Sequence, residues 1–144
     1  MGASLVYLEK PITKKETTVG QGLGFRYAAS SMQGWRLSME DGHICNPELD
    51  KTGAALFAVF DGHGGVEVAK FCERHFEQAL LTNRNWESKA YGKALEETFI
   101  AMDQMLMTPQ GRQELHQISI DNPPKQTPLK RAAQMSGIRA NKEL

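Results

Sequence analysis

What this chain lacks narrows its chemistry before any motif is read. It has two cysteines, Cys45 and Cys72, too few for a disulfide framework and at a spacing that matches no zinc motif. Both are expected to be small core residues in a reducing compartment. The longest apolar run falls far short of the roughly 18 residues of a membrane span. Glu9, Lys10, Lys14, Lys15 and Glu16 interrupt any apolar core of a signal peptide. There is no internal repeat. There is no excess of basic charge either, since 17 Lys and Arg balance 17 Asp and Glu. Residues 21–108 hold 8 Lys/Arg against 12 Asp/Glu, and residues 109–144 hold 6 against 3. A nucleic-acid partner needs a basic footprint, so none is expected, and an acidic body suits cations better.

What remains is a chain of 144 residues, 40% hydrophobic and 24% charged, the make-up of one ordinary globular domain. A cytoplasmic setting is expected, with nuclear or membrane-associated placement as alternatives. The start, MGASLV, exposes Gly2 once Met1 is removed, but Val6 stands where the myristoylation pattern wants Ser or Thr. Weak membrane association follows only if Gly2 is myristoylated.

Residues 1–20 read as a polar N-terminal arm. FRYAASSM, residues 25–32, reads as a strand closed by Gly34, and MEDGHICN, residues 39–46, as a second. ALFAVF, residues 55–60, is a continuous apolar run and predicts a fully buried strand. Val66, Ala69, Cys72, Phe76, Ala79 and Leu80 recur near the helical period. A second helix is expected from about Trp86 to Met107, with Tyr91, Ala94, Leu95, Thr98, Phe99, Met102, Met105 and Leu106 on one face. After Thr108 the residues turn polar and Pro109, Pro123, Pro124 and Pro128 break up the pattern. Residues 109–144 are therefore expected to be a poorly ordered tail or insertion, with LKRAAQM at most a short helical turn.

Two stretches carry chemistry. In FAVFDGHGG, residues 57–65, an apolar run ends in Asp61, followed by Gly62, His63 and further glycines. A plain turn with His63 in solvent is one reading. The other takes in GWRLSMEDGH, residues 34–43, whose Glu40 and Asp41 sit among apolar neighbours. Neighbours on a strand point to opposite faces, so one of the two acids would meet an ion while the other reaches a second ion or a bound water. Asp61 at a strand end can bridge two cations, and Gly62 lets its carbonyl come close because no Cβ blocks the way. Oxygen donors of this kind suit Mg²⁺ or Mn²⁺.

SSMQGWRLSMEDGH together with FAVFDGHGG resembles the N-terminal half of the metal-dependent serine/threonine protein phosphatases of the PPM type, also called type 2C. The likeness runs over about residues 22–108 and is looser over ALEETFIAMDQML, where Phe99 and Asp103 fit the family pattern. The resemblance implies that Arg36 binds the substrate phosphate. It implies that Glu40, Asp41, Asp61 and the Gly62 carbonyl belong to a site for two Mg²⁺ or Mn²⁺ ions, and that His63 is the general acid. It implies hydrolysis of phosphoserine and phosphothreonine in proteins by a hydroxide held between the metals, with no phospho-enzyme. His43, in the other DGH triplet, does not fall on the catalytic position and reads as an ordinary strand residue.

The implied fold is α+β, an α-β-β-α sandwich of antiparallel sheets flanked by helices, of which this chain supplies part. Residues 21–108 would be the N-terminal half of the phosphatase domain. The family's later GxTA, DG and DN motifs have no counterpart after Thr108, so the chain is expected to be a truncated half-domain. Two functions stay open on these grounds: a metal-dependent protein phosphatase, incomplete as given, or a non-catalytic relative acting as a binding or interfering fragment.

Overall fold

A computed structural model describes residues 7–123. The Gly2 signal and the LKRAAQM segment lie outside the described residues. The chain runs β1 (Tyr7–Gly22), β2 (Phe25–Arg36), β3 (Gly42–Asn46), β4 (Leu56–Phe60), α1 (Glu67–Leu81), α2 (Arg84–Glu87), α3 (Tyr91–Met107) and α4 (Pro109–Asp121). Two antiparallel two-stranded sheets, β1–β2 and β3–β4, combine with four helices in the expected α+β class.

Most of the segment expected to be a polar arm is a strand. Leu23 and Gly24 both take positive φ, 49° and 84°, and form a two-residue turn whose twist matches that of paired strands. The hairpin zips from that turn, Gly22 facing Phe25, Val19 facing Ala28 and Thr17 facing Ser30. The Thr17 and Ser30 hydroxyls are 3.0 Å apart. A ribbon this exposed shows little alternation of polar and apolar residues, so its Lys- and Thr-rich half looks like a loop in sequence. β2 also runs through Gly34 to Arg36 rather than closing at the glycine.

The run 55–60 forms a strand, but only one face of it is covered. Leu56 is buried, and Ala58 and Phe60 pack toward the core, where the Phe60 and Phe76 rings lie 5.5 Å apart. Phe57 and Val59 face the other way and are 47% and 74% exposed. At its turn end the β1–β2 hairpin meets that second face, with Phe25 and Tyr27 at 5.8 and 5.2 Å from the Phe57 ring. The helices thus cover one face of β3–β4, and the hairpin touches the other near its turn. Burying Ile44, Leu49, Leu56, Phe76, Leu80, Ala94 and Met102 together makes the core between helices and sheet.

Helix α1 follows the predicted spacing, though its deepest residues include Phe71, which the periodic reading passed over. Cys72 is half-buried on the same helix, and burial, with the Asp103 charge adding to it, pushes its thiol pKa up. The second predicted helix is two helices. Lys89 takes φ 63° and breaks the path between α2 and α3, a conformation that a non-glycine residue gives no sign of in sequence. On α3 the buried residues are Ala94, Thr98 and Met102, while Tyr91, Leu95 and Phe99 stay partly exposed.

The segment after Thr108 is helical as far as Asp121, against the expectation of a poorly ordered tail. The Thr108 hydroxyl accepts a hydrogen bond from the Gly111 amide at 3.0 Å, and Pro109 occupies the first turn. Proline there costs nothing, because that amide has no partner in any helix. Glu114 then ties α4 to α1, accepting from Arg74 at 3.1 Å and pairing with His75 at 2.8 Å. Burial pushes the Glu114 carboxyl up, but His75 and Arg74 outweigh it and hold the group below its usual range.

Two stability predictions follow from these contacts. Ile118 on α4 is fully buried, so Ile118→Ala should cost about 2–5 kcal/mol by urea unfolding; a neutral result would mean that α4 does not dock. Asp50, in the β3–β4 connection, accepts from the Thr52 hydroxyl at 2.6 Å, the Thr52 amide at 2.8 Å and Trp86 Nε1 at 2.8 Å. The Thr52 hydroxyl first, then Trp86, hold its carboxyl below the ordinary 3.8. A depressed folded-state pKa adds stability above the unfolded value and loses it as pH falls. The melting-temperature gap between wild type and Asp50→Ala should therefore be full at neutral pH and close once the pH drops below 3.8. A gap that does not change with pH would show that the ionised carboxylate is not what holds the loop.

Candidate functional site

The two chemistry-bearing stretches meet because β3 and β4 pair in a fixed register. Gly42 faces Phe60, His43 faces Val59 and Ile44 faces Ala58. The pairing ends at Gly42 and Phe60, so it delivers residues 40–41 and 61–62 to the same end of the sheet. The approach of these two segments is visible in the packing. A Cβ added at Gly62 would strike the Glu40 carbonyl oxygen and lie 3.0 Å from the Glu40 carbonyl carbon. Gly62 therefore has no side chain because another backbone lies against it, and this is a tighter demand than a turn makes.

The acids are not on a strand, as the reading of residues 39–46 expected. β3 begins at Gly42, and residues 37–41 are irregular as the chain crosses from the hairpin to the second sheet. The strand alternation that would send Glu40 and Asp41 to opposite faces does not apply to them. Glu40 is largely buried, its side chain 16% exposed, and Asp41 is half-buried. Oε1 of Glu40 accepts a hydrogen bond from the Ser38 hydroxyl at 2.6 Å. Oε2 is buried and has no hydrogen-bond partner. Arg36 Nη2 stands 4.0 Å from it, within ion-pair range but too far for a hydrogen bond.

Arg36 ends β2, its side chain 55% exposed. The β1–β2 pairing slips on both sides of the Ile12–Gly34 pair, and such irregularities re-aim the residues beyond them. The Gln33 side-chain amide donates to the Arg36 carbonyl at 2.9 Å and steadies that turn of the chain. Asp61 and His63 are exposed in the connection between β4 and α1. His43 is exposed on β3, and its amide donates to Glu73 Oε1 at 3.1 Å. Burial pushes the Glu73 carboxyl up, while Lys70 and the His43 amide outweigh it and hold it low.

The arrangement suits a hard cation in kind. All its donors are oxygens, and one buried carboxylate oxygen lacks a hydrogen-bond partner. Among the described residues no group of three or more His, Cys, Asp or Glu side chains could by itself hold a metal ion. That excludes a closed cage of the zinc type from these residues. It leaves room for Mg²⁺, which is commonly held by one or two carboxylates and keeps several waters.

The site is an open surface. Two hollows lie elsewhere, about 410 Å³ beside Glu96, Ile100 and Gln104 on α3, and about 360 Å³ around Gly22 and Phe25 at the hairpin turn. Ser38 is the functional candidate that sequence reasoning missed. A serine two residues before an acid has no distinctive pattern, and only the folded hydrogen bond marks it.

Residues 25–120 match the profile of the family described as protein phosphatase 2C. "Probable protein phosphatase 2C 5" of Paramecium tetraurelia is 53% identical over 112 residues, which are 78% of this chain and 38% of that protein. "Protein phosphatase 2C 1" of the same organism is 50% identical over 111 residues, 77% of this chain and 37% of the relative. "Protein phosphatase 1G" of Bos taurus is 43% identical over 122 residues, 83% of this chain and 22% of the relative. The chain thus spans well under half the length of these curated relatives.

The contact between Gly62 and Glu40 generates a direct test. A methyl group at position 62 meets backbone, which cannot swing aside as a side chain would, so Gly62→Ala should cost about 1–3 kcal/mol. Its amide chemical-shift changes, read by NMR, should reach residues 38–41 across the sheet end as well as residues 61–63. Changes confined to the substituted loop would mean that the two motifs are not in contact.

Proposed function

The chain belongs to the protein phosphatase 2C family, and from that premise we propose that it carries the Arg36, Glu40–Asp41 and Asp61–Gly62–His63 elements of a metal-dependent hydrolase acting on phosphoserine and phosphothreonine in proteins. The observation that supports this most is the seating of Gly62 on Glu40, which joins the two motifs at one end of β3–β4 beside a buried, unpartnered carboxylate oxygen. Glu40, Asp41, Asp61 and the Gly62 carbonyl would hold two Mg²⁺ or Mn²⁺ ions. When bound, these ions would neutralise the phosphoryl charge and supply a nucleophile drawn from water.

The chain's own side chains divide the remaining work. The Arg36 guanidinium presents a fork of N–H donors matched to two phosphate oxygens, and it is exposed enough to reach a substrate. His63, exposed beside Asp61, would give its proton to the seryl or threonyl oxygen as the bond from that oxygen to phosphorus breaks. An open site suits a phosphorylated residue on a protein surface better than a small molecule that needs enclosure. A cytoplasmic setting, with nuclear or membrane-associated placement as alternatives, belongs to the same proposal.

The other reading, a non-catalytic binding or interfering fragment, draws on the short donor set. On either reading the 144-residue chain alone should show little or no Mn²⁺-stimulated hydrolysis of a phosphopeptide. Strong turnover abolished by chelator would show that its own donors suffice.

The roles of Arg36 and His63 separate when the chain is joined to the remaining sequence of a Paramecium relative. Arg36→Ala should raise KM and lower kcat/KM for a phosphoserine peptide, because it touches the phosphate in the ground state. His63→Gln should lower kcat by roughly 10²–10⁴-fold with little change in KM. The loss should shrink for an aryl phosphate, whose phenolate leaves without a proton. Equal damage to both substrates would remove His63 as the acid, and an inactive fusion would favour the non-catalytic reading.

A further inference from the structure

We infer that Ser38 is a positioning residue: its hydroxyl pins one oxygen of Glu40 and so presents the other, Oε2, as the open donor for a divalent cation. The inference rests on the metal-site reading above. It starts from how the Ser38 hydroxyl is used. A serine in an irregular segment commonly turns its hydroxyl onto a nearby backbone group. Here the one O–H donor goes to a carboxylate, at the short distance of 2.6 Å that marks a charge-assisted bond.

The consequence appears at the other oxygen. A largely buried glutamate is expected to turn both its oxygens toward donors, since an unpaired buried acceptor is costly. Arg36 is near enough to supply one, yet its Nη2 stays 4.0 Å from Oε2 and makes no hydrogen bond. The Glu40 backbone is fixed as well, because its carbonyl rests against Gly62. With the main chain held from one side and Oε1 held from the other, the carboxylate keeps little freedom to rotate Oε2 toward solvent or toward Arg36. Ser38 thus lowers the cost of ordering Glu40 when a cation arrives. An acid oriented in advance binds an ion more tightly than a mobile one, and groups that orient metal ligands typically contribute 10–100-fold to metal affinity.

The test is a Mn²⁺ titration of the full 144-residue chain, following the signal of free Mn²⁺ by electron paramagnetic resonance. Melting temperatures are measured in chelator alongside. Ser38→Ala should weaken Mn²⁺ binding by roughly 10–100-fold while its melting temperature in chelator matches wild type. Ser38→Thr, which keeps the hydroxyl, should bind close to wild type, and Glu40→Gln should bind no better than Ser38→Ala. If Ser38→Ala binds like wild type while Glu40→Gln is weakened, the positioning role falls and the metal site stands. If Ser38→Ala is weakened but also melts lower in chelator, and Ser38→Thr fails to restore binding, the residue is merely structural and the inference is overturned. No Mn²⁺ binding by the wild-type chain, or wild-type affinity in Glu40→Gln, would remove the metal reading of Glu40 and the inference with it.

Discussion

Everything proposed for this molecule depends on the register of one five-residue strand pair. Gly42 opposite Phe60 brings residues 40–41 to the end of the sheet where Asp61 and Gly62 leave it, although the two segments lie some twenty positions apart in the chain. A slip of one residue would turn Leu56, Ala58 and Phe60 away from the helices and Phe57 and Val59 into them, so the hydrophobic core itself selects the register. Phe76 and Leu80 of α1 fill the helix side of that sheet. The same packing that stabilises the fold therefore brings the two acidic segments to one end of the sheet. The closeness of the two motifs is thus a by-product of apolar burial, set by the pairing of β3 with β4.

That enforcement has an energetic cost at the strand ends. The buried Oε2 of Glu40 has given up water without gaining a hydrogen-bond donor. This does not help the fold, and loops that bear chemistry are where such costs collect. The opposite holds at the far end of the same sheet. There Asp50 has its charge answered by the Thr52 hydroxyl and amide and by Trp86, and Leu49 is buried beside it. One connection of the sheet is satisfied and closed, and the other end is unsatisfied and open. That asymmetry separates the structural turn from the candidate site, since both are short, polar and carry acids.

The motifs of the candidate site stood out in sequence more than the fold around them. DGH after an apolar run, with MED upstream, draws attention because hard-cation chemistry favours carboxylates and a residue without a side chain. Strand β4 was legible as an apolar run, though not its exposed face, and helix α1 through periodicity. β1 was not, because a hairpin exposed along most of its length has no apolar face to reveal it. α4 was hidden by Pro109, which reads as a breaker but starts a helix when it stands just after a capping threonine. The division between α2 and α3 turns on the positive φ of Lys89, a residue type that carries no hint of it. Ser38 went unread since its role is a relation between two side chains, and a one-dimensional pattern records only their order.

The candidate residues also differ in how firmly the fold holds them. Asp41, Asp61, Glu40 and Gly62 hang directly on the paired strands β3 and β4, whose inner face is packed against α1. Arg36 instead ends β2, and the hairpin's ring contacts with Phe57 are made by Phe25 and Tyr27 near its turn. At about 3.3 Å per residue, roughly 30 Å of ribbon separates those contacts from Arg36, with irregular pairing on the way. The acids of the proposed metal site are thus placed by a packed core, and Arg36 by a long, exposed lever. The difference would suit the tasks proposed for them. A small cation tolerates little error in its ligands, whereas a guanidinium meeting phosphates on differently shaped protein surfaces would gain from some freedom to move.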